Sequence, residues 1–218
     1  MAAGRGFQRG RAGARRLLGV LLCGVLLLAA GCGPTISSED RGDYQPTSRP
    51  PREAGAQLVG PLVYTVDARS KTLWTHFDFS RGSVVAGDEE GLDWDIAFRR
   101  NKIKTNGGAT NPRAQAGLID LGPVDFARVT EAPAGGYALD VKSSDRMGTE
   151  NPLPQKWYDY NPLGFTLKSK NHTYAVRTAD GRYAKFRILN YYCNRKDGGC
   201  VTIEYVYQGD GSRRLAAP

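Results

Sequence analysis

The chain is poor in the residues that most catalytic chemistry uses. Its 218 residues include 2 histidines, 4 cysteines and 2 methionines. A Ser-His-Asp constellation would have to use His76 or His172, and neither has a neighbourhood that suggests one. His-Glu-x-x-His, Gly-x-Ser-x-Gly, the phosphate loop and the dinucleotide fingerprint are all missing. Carboxylates do cluster, as in Asp93 with Asp95 and in Asp88-Glu89-Glu90. Such clusters do acid and base work only in a shielded cleft that separates their pKa values. The sequence therefore argues against an enzyme. Helical periodicity is also absent: between Leu58 and Gln208 no window keeps apolar residues at helical spacing over three turns, and glycine and proline interrupt every long candidate.

The formal charge of +8 invites a nucleic-acid partner, but five of the 30 basic residues, Arg5, Arg9, Arg11, Arg15 and Arg16, stand in an acid-free N-terminal stretch. Removing that stretch leaves 25 basic against 22 acidic residues. No patch of clustered Lys and Arg remains beyond short mixed runs such as Arg99-Arg100-Asn101-Lys102, so nucleic acid is not expected as a partner.

Those arginines precede an apolar run from residue 17 to residue 30, shorter than the roughly 20 residues of a spanning helix. Residues 1–31 read as a signal peptide. The run ends in Leu28-Ala29-Ala30-Gly31-Cys32, which resembles the lipobox where bacterial processing cleaves before a cysteine that receives diacylglycerol. Cys32 is thus the expected lipidation site, the membrane the expected partner through that anchor, and the bacterial cell envelope the expected location. Residues 33–57 are rich in Pro, Ser, Gly and charge, so 32–57 reads as a lipidated flexible linker. A single folded domain is expected over 58–210, with a disordered tail at 211–218.

Within the domain the pattern is that of strands. Over 72–79, Leu73, Thr75, Phe77 and Phe79 share one face and Trp74, His76 and Asp78 the other. Trp94, Ile96 and Phe98 alternate in the same way. Asn106-Gly107-Gly108 supplies a turn, predicting a hairpin with the strand-like 117–121. Near the C-terminus, strands at 172–178 and 182–191 joined by Ala179-Asp180-Gly181, and a third at 201–207, predict an antiparallel meander. Cys193 and Cys200 flank the last loop, and an exported hairpin favours a disulfide between them. Zinc would need a second pair of ligands that this segment lacks.

The order of several words is informative. Trp74-Thr75-His76-Phe77-Asp78-Phe79-Ser80-Arg81-Gly82 is followed by Trp94-Asp95-Ile96-Ala97-Phe98-Arg99-Arg100 and Thr105-Asn106-Gly107-Gly108. Tyr174-Ala175-Val176-Arg177-Thr178 and Asp180-Gly181-Arg182-Tyr183-Ala184-Lys185-Phe186 come later. Together they resemble the HmuY-like lipoproteins, over roughly residues 63–207. The resemblance implies an all-β antiparallel sheet domain, a sandwich or partly open barrel, in an outer-membrane lipoprotein. It implies haem or porphyrin capture for iron acquisition, without catalysis, and a TonB-dependent receptor as partner.

Haem iron is held by His, Met, Cys or Tyr, and characterised members of this family use pairs of His or Met. The candidates here are His172, His76 and Met147, with haem iron the only metal expected. No Cys-x-x-Cys-His occurs, so the expected cofactor is non-covalent haem b. The chain departs from the family where a ligand-capable residue is sought after Phe98: it has Arg99 and Arg100, whose guanidinium forks suit haem propionates instead. Two other readings stay open. One is a binding module for glycan, peptide or an apolar small molecule, built on Trp157-Tyr158-Asp159-Tyr160-Asn161-Pro162. The other is a structural lipoprotein without haem.

Overall fold

The computed structural model describes residues 43–144 and 148–216. The signal peptide, Cys32 and Met147 lie outside the described residues. Thirteen strands are described, and among these residues helix is confined to 3-10 turns at Phe126–Arg128 and Pro154–Lys156.

The larger sheet has five antiparallel strands in the order β1 (Leu58–Asp67), β13 (Asp197–Gln208), β12 (Tyr183–Cys193), β11 (Thr173–Arg177) and β6 (Gly117–Asp120). The smaller runs β3 (Ser83–Val85), β2 (Thr75–Asp78), β4 (Ile96–Arg99) and β5 (Lys102–Thr105), also antiparallel. Two short hairpins stand apart: β7 (Val141–Lys142) with β8 (Thr149–Glu150), and β9 (Tyr158–Asn161) with β10 (Thr166–Ser169).

Period-two alternation explains why the two sheets face each other. Tyr64 and Val66 of β1, Tyr174 and Val176 of β11, Phe186 and Ile188 of β12, and Ile203 and Tyr205 of β13 share one buried core with Phe77, Phe79, Ile96, Phe98 and Ile103 from the smaller sheet. Aromatic rings knit the halves together, with Phe77 and Phe79 at 5.5 and 5.6 Å from Tyr205. Cutting Phe77 to alanine would cost about 3–5 kcal/mol, the usual price of a large core cavity. Both sheets remain open at their edges, so the domain is a sandwich and not a closed barrel. The expected meander is present, as β11, β12 and β13 pair in sequence order. The bulge in β1 between Val59 and Leu62 contains Gly60, at φ +111, where a Cβ would lie 2.5 Å from the Tyr205 carbonyl oxygen.

Four sequence expectations need correction. First, 117–121 does not pair with the strand before the Asn-Gly-Gly turn. β4 and β5 form their own hairpin through Arg100-Asn101, with Arg100 at φ 54, and β6 crosses to the other sheet to pair with β11. The chain does reverse at Asn106-Gly107-Gly108, but only through the isolated bridge Gly107↔Gln115. Second, Trp94 is buried yet outside the inter-sheet core: alternation begins at Ile96, and the indole packs on the opposite face against His76, tilted by 35° with the ring centres 4.4 Å apart.

Third, the end of the polar linker is held. Thr47 exchanges hydrogen bonds with Thr65 along the free edge of β1, the Ser83 hydroxyl donates to the Arg49 carbonyl at 2.8 Å, and the Arg52 guanidinium donates to the Ser80 carbonyl at 2.8 Å. An edge strand's unpaired backbone groups give a polar segment something to bind without an apolar core of its own. Fourth, the tail from 211 packs on the domain. Leu215 is fully buried with Phe126, Ala132 and Val206, and its N–H donates to the Thr130 carbonyl at 2.8 Å.

Candidate functional site

His172 stands immediately before β11, and Asp120 closes β6, the strand paired with β11. Register sets Tyr174 opposite Asp120, so the residue two before Tyr174 shares its face and reaches the same carboxylate. His172 Nδ1 lies 3.0 Å from both Asp120 oxygens. The Gly122 N–H also donates to Asp120 Oδ1, at 2.8 Å, and steadies it. The imidazole is 26% exposed. A carboxylate on Nδ1 selects the tautomer that carries its proton there, which leaves the Nε2 lone pair as the available donor to a metal.

His76 is placed differently. It lies on the outer face of the smaller sheet, enclosed by Trp94, with Nε2 3.5 Å from Glu89 Oε1 and no hydrogen-bond partner. Glu89 also takes two contacts from the buried Lys104 ammonium, at 2.5 and 2.7 Å. His76 and Lys104 together hold the Glu89 carboxyl down at about 2. By geometry Lys104 is the stronger of the two, since 3.5 Å exceeds a good hydrogen bond. Burial pulls the Lys104 ammonium down in spite of this partner. Arg99 lies over Trp74 at 4.4 Å, and Lys104 over the same ring at 4.9 Å, completing a ladder of alternating cations and indoles.

The other candidates are scattered. Arg100 donates from Nη1 to the Gly198 carbonyl at 2.5 Å and lies 5.9 Å over Tyr191, so it braces the β12–β13 hairpin. Cys193 and Cys200 form the expected disulfide across that hairpin. Trp157 is buried in the core, which removes the one indole from the 157–162 segment offered as a binding surface; of that segment's aromatic rings Tyr160 alone is more than half exposed. Burial also pushes the Tyr174, Tyr191, Tyr205 and Tyr207 hydroxyls up, away from the phenolate form that binds iron. His172 and His76 belong to different sheets. Among the described residues no group of three His, Cys, Asp or Glu side chains is placed to hold a metal ion.

Two clefts lie on the described surface, and neither is lined by His172, His76 or Asp120. The residue after Asp120 begins the first, about 580 Å³, lined by Leu121, Val124 and Val129 with Asp125, Arg128 and Glu131. The second, about 450 Å³, has Asp78, Asp93, Asp95 and Asp180 in its wall. Burial and the neighbouring Asp78 push the Asp95 carboxyl well up, although the Phe79 and Ala179 N–H groups each donate to it at 2.9 Å. Nothing in the sequence marks Asp120, because 52 residues separate it from His172 and the β6–β11 pairing is what joins them.

The family model described as HmuY protein matches residues 70–205, more than half of the chain. The chain belongs to the HmuY family. Solved HmuY-like structures share its fold. The apo HmuY analog of Tannerella forsythia is 22% identical, with a TM-score of 0.56 over 70% of this chain and 97% of its own. A Bacteroides vulgatus protein described as HmuY-like and heme binding is 24% identical, with a TM-score of 0.52 over 72% and 96%. Apo PinO of Porphyromonas gingivitis is 17% identical, with a TM-score of 0.52 over 71% and 100%. No curated protein matches the chain. The Trp-Asp-Ile-Ala-Phe and Thr-Asn-Gly-Gly words of this HmuY member are structural. Ile96 and Phe98 fill the core, and the buried Asn106 amide donates to the Gly91 and Trp94 carbonyls at 2.8 Å each.

Proposed function

We propose that this HmuY-family chain is a non-catalytic capture protein for haem or a related porphyrin, with His172 as an axial ligand of the iron. The supporting observation is the His172–Asp120 pair. A metal-binding imidazole characteristically donates its second N–H to a carboxylate, which orients the ring and raises its basicity. Asp120 supplies that partner at 3.0 Å on a ring that remains partly open to solvent. The description of the Bacteroides vulgatus relative as heme binding agrees with this reading. Haem is the cargo, held without a covalent bond. His76 is the weaker ligand, because Trp94 and Glu89 would have to withdraw before its Nε2 could meet a porphyrin.

In the same proposal the chain is a lipoprotein anchored through Cys32 at the outer membrane, delivering its cargo to a TonB-dependent receptor for iron acquisition. The decisive test is the absorption spectrum of the haemin complex. His172→Ala should abolish or shift the Soret band, Asp120→Asn should weaken haemin binding about 10- to 100-fold, and His76→Ala should leave the band in place. A Soret band indifferent to His172→Ala would refute the assignment.

A further inference from the structure

The β9–β10 ribbon is tied to the domain at its base. Trp157, next to β9, is in the core; the Leu167 N–H donates to the Tyr192 hydroxyl at 2.6 Å, and the Lys170 N–H to the Trp157 carbonyl at 3.0 Å. Its tip carries the two most exposed large apolar side chains among the described residues. Leu163 is 93% and Phe165 81% exposed, with Tyr160 at 53% beside them. The turn that carries them is ordered. Asn161 Oδ1 accepts from the Leu163 N–H at 3.0 Å and the Gly164 N–H at 3.4 Å, and Phe165 is held at φ 49, in the left-handed region that a phenylalanine seldom adopts. Two bulky apolar side chains are thus presented to solvent by a defined local structure.

The ribbon behind this tip is basic, from Lys168 in β10, opposite Asp159, to Lys156 and Lys170 at its base. Lys156 and Lys168 are exposed and Lys170 is partly so, against one carboxylate, Asp159, which lies 3.7 Å from Lys170. We propose that the β9–β10 tip inserts into the interface of a bilayer containing anionic phospholipid, with Leu163 and Phe165 among the acyl chains, Tyr160 at headgroup level and the lysines on lipid phosphates. Area and charge decide for a lipid surface. A stable protein interface buries about 800 Å² on each partner, far more than three side chains supply. A few large apolar residues, an amphipathic ring and a basic collar are what a membrane interface rewards. The proposal is independent of haem capture.

The test uses the full chain with Phe165→Trp, added to vesicles of phosphatidylethanolamine and phosphatidylglycerol whose acyl chains carry bromine. The new indole should be quenched well beyond the parent's three tryptophans, and less in phosphatidylcholine, since each lysine near an anionic surface is worth about fivefold in binding. Exchange of the amides at 163–166 in the unsubstituted chain should slow on the same vesicles. Quenching and exchange indistinguishable from the vesicle-free chain would overturn the proposal, even if a lipid on Cys32 brought the chain to the membrane. A tip that instead docks on a second copy would raise the mass in solution without vesicles, and would overturn it equally.

Discussion

Asp140 shows how much a single buried carboxyl can organise. It accepts the Thr105 N–H at 2.9 and 3.0 Å, the Thr105 hydroxyl at 2.6 Å and the Thr110 hydroxyl at 2.6 Å, binding the end of β5 to the turn beyond it. Burial outweighs these bonds and pushes its pKa up to about 6. The folded state therefore holds this proton more tightly than the unfolded chain does. The resulting stabilisation is complete below about pH 4 and is lost as pH rises through about 6, a swing of about 3 kcal/mol. Asp140→Asn, which cannot titrate, should remove that swing. Denaturation of parent and variant at pH 4 and pH 7 measures it as a change in their difference; an unchanged difference would contradict the burial argument. Lys185 is a second buried ion, fully enclosed and donating to the Phe126 and Val129 carbonyls at 2.7 Å each. Neither residue was legible in the sequence, because the partners of each come from segments at least 30 residues away.

At the level of elements, alternation identified the strands well and their partners less well. The C-terminal meander could be read because each turn carries its own signal, as Asp180-Gly181 does, and neighbours in sequence are neighbours in the sheet. β6 was misassigned for the opposite reason: it leaves one sheet for the other, and no local residue records that crossing. The Asn-Gly-Gly word was read as a hairpin turn, whereas its main constraint is steric. A Cβ on Gly107 would lie 2.1 Å from the Ala116 carbonyl oxygen, a backbone atom with little freedom to move. Gly107→Ala should cost about 3 kcal/mol, lowering the melting temperature by about 6–12 °C. Gly135→Ala, with nothing within 4 Å of its Cβ, is the control and should stay within about 0.5 kcal/mol. Equal melting of the two variants would show that the Gly107 approach is not tight in solution.

For the whole molecule, two open sheets share one aromatic core, and the segments before β1 and after β13 lie against that sandwich. Family words in the sequence were enough to anticipate the all-β class and the HmuY fold, since they encode core residues and a fixed turn. They did not specify the site. His172 was visible as a candidate, but its distinction from His76 depends on Asp120, which the fold brings to it, and on Trp94 and Glu89, which enclose the other ring. Arg99 and Arg100, expected at propionates, stand over Trp74 and against the Gly198 carbonyl. On the proposed reading, haem is captured at one site through His172. Equilibrium titration of the full chain with haemin, followed in the Soret region, tests it most directly. Saturation at one equivalent with a sharp iron–imidazole band is expected; a linear, unsaturable rise with the spectrum of free haemin would refute capture through His172.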